Sequence, residues 1–513
     1  MRTKNTVRNI SFALFGQIFG IGISLISRVF FIRFLSADYL GVNGLFTNIL
    51  FVLSLAELGF SSAMTFSLYK PLAENNVQYI SSLMHFYAKI YKIIGICILI
   101  IGVCVTPFLK FLIKDAPQIS DNLYLIFALY LLNSVISYFY SYKQSLIIAD
   151  QKKHITTVYR YAFFVLLSVA QMIVLYITHD FILYLVVQIV FTFLENIIVA
   201  AKANRMYPYL NEKTTAPLDD ESKKEISKNV KALFLHKVGG VASNGITSIF
   251  ISSLVGIVEV GIYSNYLLII TALNVVFNQI FDSATASVGN LDATSDDQHR
   301  YQIFRNILFA SVWIFGFSTI ALILLFNPFI KLWLGESMLF PSLIVILISV
   351  RYFIDGSRRT VLMFRNAMGL FWFDRYKSLI QALVGAGLAI LLSRWYGLAG
   401  ILFGSLLGTI IVTTYIEPYV LFKYGFNRKV SLYFTQLTKY LVIIIIGGII
   451  SALLNSLVMG SSWLVLVLRG SICFVVPNLL FILVFHKTKE YLYFISVAKD
   501  TYRSILNRKI ILK

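Results

Sequence analysis

Five charged residues on one apolar stretch bound the chemistry open to this chain. Leu339 to Gly369 reads LFPSLIVILISVRYFIDGSRRTVLMFRNAMG, apolar enough to cross a bilayer as a helix, yet it carries Arg351, Asp355, Arg358, Arg359 and Arg365. On a helix Arg351, Arg358 and Arg365 recur every seven residues and share a stripe, with Asp355 four residues after Arg351. Each arginine near the middle of a membrane helix costs roughly 2.5–3.5 kcal/mol, while each Leu, Ile, Phe or Val returns about 0.3–0.6 kcal/mol. A cationic stripe facing lipid is therefore untenable, and this one must face other helices or a water-filled cavity. A guanidinium fork offers phosphate two charge-assisted hydrogen bonds at once. The stripe is thus expected to line the path of an anionic substrate, with Arg365 nearest the cytoplasmic mouth. The competing reading is a set of interhelical ion pairs. Asp355 can neutralise only one arginine, and few other acids are at hand.

Other polar groups fall inside apolar stretches. Glu57 sits in FVLSLAELGFSSAM, and Arg28 lies in the neighbouring first helix, so the two are expected to pair or to meet substrate or a coupling ion. Asn274, Asn278 and Asp282 recur every four residues, as a cavity lining or an interhelical hydrogen-bonding stripe. Asn133 and Tyr138 belong to a hydroxyl- and ring-rich stretch that suits sugar faces and helix packing alike. Glu195 and Glu417 lie near cytoplasmic helix ends and are expected to reach water. Arg359 is expected to pair back to Asp355, and Arg469 to snorkel outward or pair.

The elements that position these residues follow from composition. The chain has 513 residues, 58% hydrophobic and 13% charged, with three cysteines and six histidines. Soluble domains are nearer one-quarter charged. Apolar runs of spanning length recur from end to end, so the fold class is an all-α polytopic membrane protein of about fourteen transmembrane helices. The basic residues test this count. With the N-terminus inside, 34 of the 44 Lys and Arg fall on the cytoplasmic side, five on the outer side and five within spans. That bias predicts cytoplasmic N- and C-termini and explains the net charge of +20 without nucleic acid. Cys97, Cys104 and Cys473 all lie in apolar stretches. No metal-ligand spacing, Ser/His/Asp arrangement or phosphate-binding glycine loop is present, and Gly-Lys occurs nowhere. No cofactor is expected, and the chain is expected not to be an enzyme. Energy for transport would come from an ion gradient, the membrane potential or consumption of product.

A weak internal repeat organises the chain. FFIRFLSADYLGVNGL from Phe30 and FISSLVGIVEVGIYSNYL from Phe250 both join two spans through an acidic residue and then a glycine, Asp38 and Gly41 in one, Glu259 and Gly261 in the other. Two six-helix halves are expected, at 1–206 and 230–424. A polar cytoplasmic linker over 207–229 would join them, and two further helices with a basic tail would occupy 425–513. Within the linker, PLDDESKKEISKN predicts a short surface helix capped by Asp219 or Asp220, or a solvated connection.

Several stretches resemble a known family. GLFTNILFVLSLAELGFSSAMTFSLYKPLAENN from Gly44, NSVISYFYSYKQSLIIADQKKHI from Asn133, VGIYSNYLLIITALNVVFNQIFDSATASVGNL from Val260 and NPFIKLWLG from Asn327 are similar to the Gram-positive Wzx-type polysaccharide flippases of the multidrug/oligosaccharidyl-lipid/polysaccharide (MOP) exporter superfamily. The resemblance implies fourteen helices in two lobes around a central cavity, in a bacterial plasma membrane. It implies alternating access that moves an undecaprenyl-pyrophosphate-linked oligosaccharide from the inner to the outer leaflet for capsule or exopolysaccharide assembly. Membrane lipids, a polysaccharide polymerase and assembly proteins would be its partners. Basic cavity residues for the pyrophosphate transfer to Arg28, Arg351 and Arg358, with Arg365 as a first contact. A lipid II flippase and a cation-coupled multidrug exporter of the same superfamily are the near alternatives. A membrane glycan polymerase or acyltransferase would need a catalytic set.

Overall fold

The computed structural model describes residues 2–57, 60–211, 218–294, 297–497 and 499, and among these it is helical with no strand. The helices are α1 (Arg2–Phe34), α2 (Ala37–Leu53), α3 (Phe60–Ala73), α4 (Val77–Val105), α5 (Leu123–Ala149), α6 (Lys153–Thr178), α7 (Phe181–Met206), α8 (Asp220–Leu254), α9 (Ile257–Thr294), α10 (Asp297–Leu334), α11 (Ser342–Ala367), α12 (Lys377–Gly408), α13 (Thr414–Val420), α14 (Ser431–Ser456) and α15 (Trp463–Phe485). Ten described helices are long and apolar enough to cross a membrane, and the chain is a multi-pass membrane protein. The arginines exclude α11 from that count by lowering its hydropathy. A break at Ser54–Glu57 separates α2 from α3, so neither reaches spanning length alone. The apolar run Lys377–Gly425 counts once, although it reverses direction at Gly397, whose φ is +52°.

That reversal is built from small residues. Gly400, Gly404 and Gly408 recur every four residues and lie against Leu392, Ala389 and Gly385 on the first limb of α12. A Cβ on Gly408 would sit 2.6 Å from the Gly385 Cα, so the two limbs touch backbone to backbone. Small residues at four-residue spacing permit this approach where lipid supplies no hydrophobic drive for association.

The chain folds as two compact units, Met1–Asn265 and Tyr266–Lys513, the division falling within α9. In the first unit α8 packs on α2 and α3, and α1 packs on α6. The two acidic-glycine turns meet there. A Cβ on Gly261 would lie 2.8 Å from the Ala37 carbonyl oxygen and 2.9 Å from the Gly41 nitrogen, and Gly41 itself faces the Ile257 carbonyl. Only glycine fits where these helix starts cross. The Asp219 carboxylate caps α8 by accepting from the Ser222 N–H at 2.8 Å, which holds its carboxyl below the usual range. The helix it starts is not short, however. It runs unbroken for 35 residues into the apolar segment, because no proline or left-handed residue interrupts it.

Aromatic side chains fill the second unit. Phe304 packs edge-on to Phe364 and Phe422, and Phe309 does the same to Tyr440 and Phe485. These contacts tie α10 to α11, α14, α15 and the turn after α13. They hold α11, the charged helix, along α10, where Gly356 lets the Phe315 ring lie against its backbone.

Candidate functional site

The α11 charges divide between two faces. Arg358 is buried, and its Nε and Nη2 donate to the two oxygens of Glu417 at 3.0 and 2.8 Å, a bidentate fork. Its Nη1 reaches Asp355 at 3.2 Å. The Glu417 carboxylate also lies 2.8 Å from Lys377 Nζ, which is 2.7 Å from Asp374. Asp374 accepts from Arg365 Nη1 at 2.6 Å, and Arg365 gives Nε and Nη2 to Asn366. Arg358, Glu417, Lys377, Asp374 and Arg365 therefore form one buried network joining α11, α12 and α13.

Two expectations are corrected by this network. Glu417 does not reach water; it is 1% exposed. The acids for the stripe are also not lacking. Between Phe340 and Lys489 the chain has three acidic residues, Asp355, Asp374 and Glu417, and all three bind stripe arginines. Lys377 adds a fourth cation to the three on the stripe.

The backbone around Glu417 is adapted to hold it. Thr409–Thr413 and Leu421–Gly425 are π-helical turns on either side of α13, and Pro418 removes a donor between them. The Thr413 and Thr414 hydroxyls donate to the Thr409 carbonyl at 2.9 and 3.2 Å, meeting an acceptor that the widened turn exposes.

The second face of α11 is more open. Arg351 Nε donates to Asp355 at 2.8 Å, and its Nη1 makes only long contacts with Ser405, at 3.3 and 3.4 Å. The Asp355 side chain is 44% exposed. Arg359 does not turn back along α11. Its Nη1 donates to Asn278 and its Nη2 to Asn274 at 2.9 Å, and its guanidinium lies 5.1 Å from the Phe315 ring centroid. The expected polar stripe on α9 thus meets an arginine. Asp282, its third member, lies outside the described side chains.

Sequence spacing explains why Arg359 does not stand out. At about 100° per residue, positions seven apart drift by only about 20°, so Arg351, Arg358 and Arg365 read as one stripe. Arg359 lies about 100° from Arg358, and reads as an outlier. The open face is instead the four-residue series Arg351, Asp355 and Arg359.

In the first unit Arg28 and Glu57 do not pair. Arg28 Nη1 donates to Ser264 at 3.0 Å, with Tyr130 and Tyr184 within electrostatic reach and no carboxylate on it among the described residues. Glu57 accepts from the Tyr91 hydroxyl at 3.2 Å and lies beside Tyr138. The phenols engage Glu57 locally, and the half-buried Arg28 meets no carboxylate among the described residues. Asn133 is half-buried, and its Oδ1 has no partner among the described residues. No cluster among the described residues could hold a metal ion.

Charged groups embedded in helices long and apolar enough to span a bilayer define a multi-pass membrane protein. Residues 6–286 match the family described as polysaccharide biosynthesis protein, and the chain belongs to that family. No curated protein is matched by the sequence. Among solved structures, the lipid II flippase MurJ in an inward closed conformation shares 15% identity at a TM-score of 0.62, over 93% of this chain and 99% of that one. An inward-facing multidrug resistance MATE family transporter of the MOP superfamily shares 13% identity at 0.57, over 81% and 98%. A point mutant of the Vibrio cholerae MATE transporter VcmN shares 16% at 0.54, over 83% and 99%. The likeness is one of fold.

Proposed function

We propose that the chain crosses a bacterial plasma membrane fourteen times and is a Wzx-type flippase. Its cargo would be an oligosaccharide repeat unit linked to a polyprenyl pyrophosphate, carried from the inner to the outer leaflet. The observation that carries this reading is the polysaccharide-biosynthesis family match on a chain with an exporter fold. The site residues supply the chemistry. Arg28 in the first unit, and Arg351 and Arg359 in the second, are the basic groups best placed to take pyrophosphate oxygens. Arg28 has no acid partner among the described residues, Arg351 shares the half-exposed Asp355 and reaches Ser405 only through long bonds, and Arg359 donates to Asn274 and Asn278. Arg358 and Arg365 are committed to buried carboxylates and set the shape of α11 instead. A pyrophosphate passing these cations adds charge-assisted contacts without breaking the buried Arg358–Glu417 and Arg365–Asp374 pairs. A cationic drug would meet repulsion on the same face. Asn274, Asn278, Asn133 and Tyr138 are assigned to the sugar path and Glu57 to ion coupling. A polysaccharide polymerase would consume the exported unit.

The sidedness of the lipid-linked unit tests this. Cells lacking the chain should make the unit and retain it facing the cytoplasm, and Arg28→Ala or Arg359→Ala at unchanged protein level should do the same. A deletion strain that exposes the unit normally, or never makes it, refutes the flippase.

A further inference from the structure

At the end of α10 and α15 that the charge bias assigns to the outer leaflet, two cavities adjoin. One, of 290 Å³, is lined by Asn327, Lys331, Ser461, Ser462 and Arg469 with apolar neighbours. The other, of 310 Å³, has an apolar lining that includes Leu273, Phe277, Phe317, Leu325 and Phe329. Leu466 borders both. The lining therefore passes from cationic to apolar across one residue.

The polar end is partly satisfied and keeps capacity. Arg469 Nε and Nη2 donate to the Val458 carbonyl at 3.2 and 2.6 Å, which fixes the guanidinium at the end of α14. Nη1 makes no hydrogen bond among the described residues. Lys331 pairs with Glu336 at 2.5 Å, and both remain partly exposed. Two cations and one carboxylate leave one net positive charge. The depth is marked by indoles. The Phe329 ring lies 5.5 Å from Trp333 and 6.0 Å from Trp463, and the latter is exposed. Tryptophans of this kind mark the head-group level. From Phe329 back to Phe317 the apolar cavity follows α10 for about 18 Å, close to one leaflet of a core roughly 30 Å thick.

We propose that this double cavity holds one anionic glycerophospholipid, its phosphodiester on Arg469 and Lys331 and an acyl chain in the groove beside Leu325 and Phe317. One net charge suits one phosphodiester. A zwitterionic head group would bring an ammonium to a site whose one carboxylate among the described residues, Glu336, is already paired with Lys331. The proposal does not depend on the identity of the transported cargo.

The test is native mass spectrometry of the full chain from detergent, titrated with phosphatidylglycerol, phosphatidylethanolamine, diacylglycerol, undecaprenyl phosphate or inorganic phosphate. Phosphatidylglycerol should be retained about fivefold better than phosphatidylethanolamine, the worth of one interfacial charge. Arg469→Gln should remove most of that preference. Leu466→Trp, which fills the junction, should reduce retention of every diacyl lipid. Equal retention of the two phospholipids by the wild type overturns the proposal, as does an unchanged preference in Arg469→Gln. Displacement of phosphatidylglycerol by inorganic phosphate would make this a free-anion site, and displacement by equimolar undecaprenyl phosphate would make it a carrier site; either overturns the phospholipid assignment. The wild-type comparison decides the matter even where a variant fails to fold.

Discussion

Replacing Glu417 by glutamine should unfold the second unit far more readily than any change on the open face of α11. The substitution keeps the shape of the side chain and removes its charge. It leaves Arg358 and Lys377, now 2.8–3.0 Å from a neutral amide, with only Asp355 and Asp374 to share among four cations. Removing one member of a buried ion pair costs about 3–5 kcal/mol, since the partner stays desolvated. Two partners are stranded here, so the cost should lie at the upper end. For a unit of this size that is a fall in apparent Tm on the order of 10 °C. The measurement is thermal unfolding of the purified chain in detergent. Arg351→Ala is the comparison, because its bonds to Ser405 are long and Asp355 is half in solvent; it should cost no more than about 1 kcal/mol. The double variant Glu417→Gln with Arg358→Gln should lose less than the sum of the two single changes by about 1–3 kcal/mol. If Glu417→Gln and Arg351→Ala unfold alike, the buried network does not hold α11, and the division of its faces is wrong.

Arg359→Ala should leave stability within about 1 kcal/mol of wild type while reducing export of the lipid-linked unit, with Arg359→Lys recovering only part, since an ammonium cannot reproduce the planar fork; equal export by Arg359→Ala would remove Arg359 from the path. Gly408→Ala should cost about 1–3 kcal/mol, because its Cβ meets the Gly385 backbone rather than a movable side chain, and a neutral result in the same thermal assay would deny the close limb packing of α12. Tyr266→Phe removes the hydroxyl that donates to Asn327 at 2.6 Å and accepts from the buried Phe340 N–H at 2.9 Å. It should destabilise the outer end of α10 by about 1–3 kcal/mol, read as faster amide exchange at Phe340.

Much of the fold was legible because lipid imposes it. Apolar runs of spanning length recurring from end to end follow from a rule that acts on local sequence. α11 was legible as a helix through its arginine spacing, although the same arginines disqualify it by hydropathy. The continuity of α8 was not legible, because the polar residues of PLDDESKKEISKN resemble a linker and nothing local says that the helix continues. The partners of the arginines were readable only in part. The three acids between Phe340 and Lys489 are few enough to be matched with the stripe by elimination. Glu417 is 59 residues from Arg358, however, and Pro418 beside it suggests a helix end near water. Its burial depends on two π-helical turns that no propensity forecasts.

The division of α11 into a committed face and an open one bears on how such a helix is selected. A buried network with more cations than acids is costly to assemble and tolerates no single loss, so mutation there removes the protein before it alters specificity. The open face carries charge at lower structural cost, because the Asp355 carboxylate paired with Arg351 is half exposed rather than buried. Substitutions at Ser405, Asn274 or Asn278 could tune the hold on an anion without disturbing Glu417. The same logic separates Arg28 from Glu57. Tyr91 and Tyr138 occupy the acid, and the cation remains available. Each unit carries an arginine that donates to neutral acceptors, Arg28 to Ser264 and Arg359 to Asn274 and Asn278, and these are the positions at which the proposed pyrophosphate would add charge-assisted contacts.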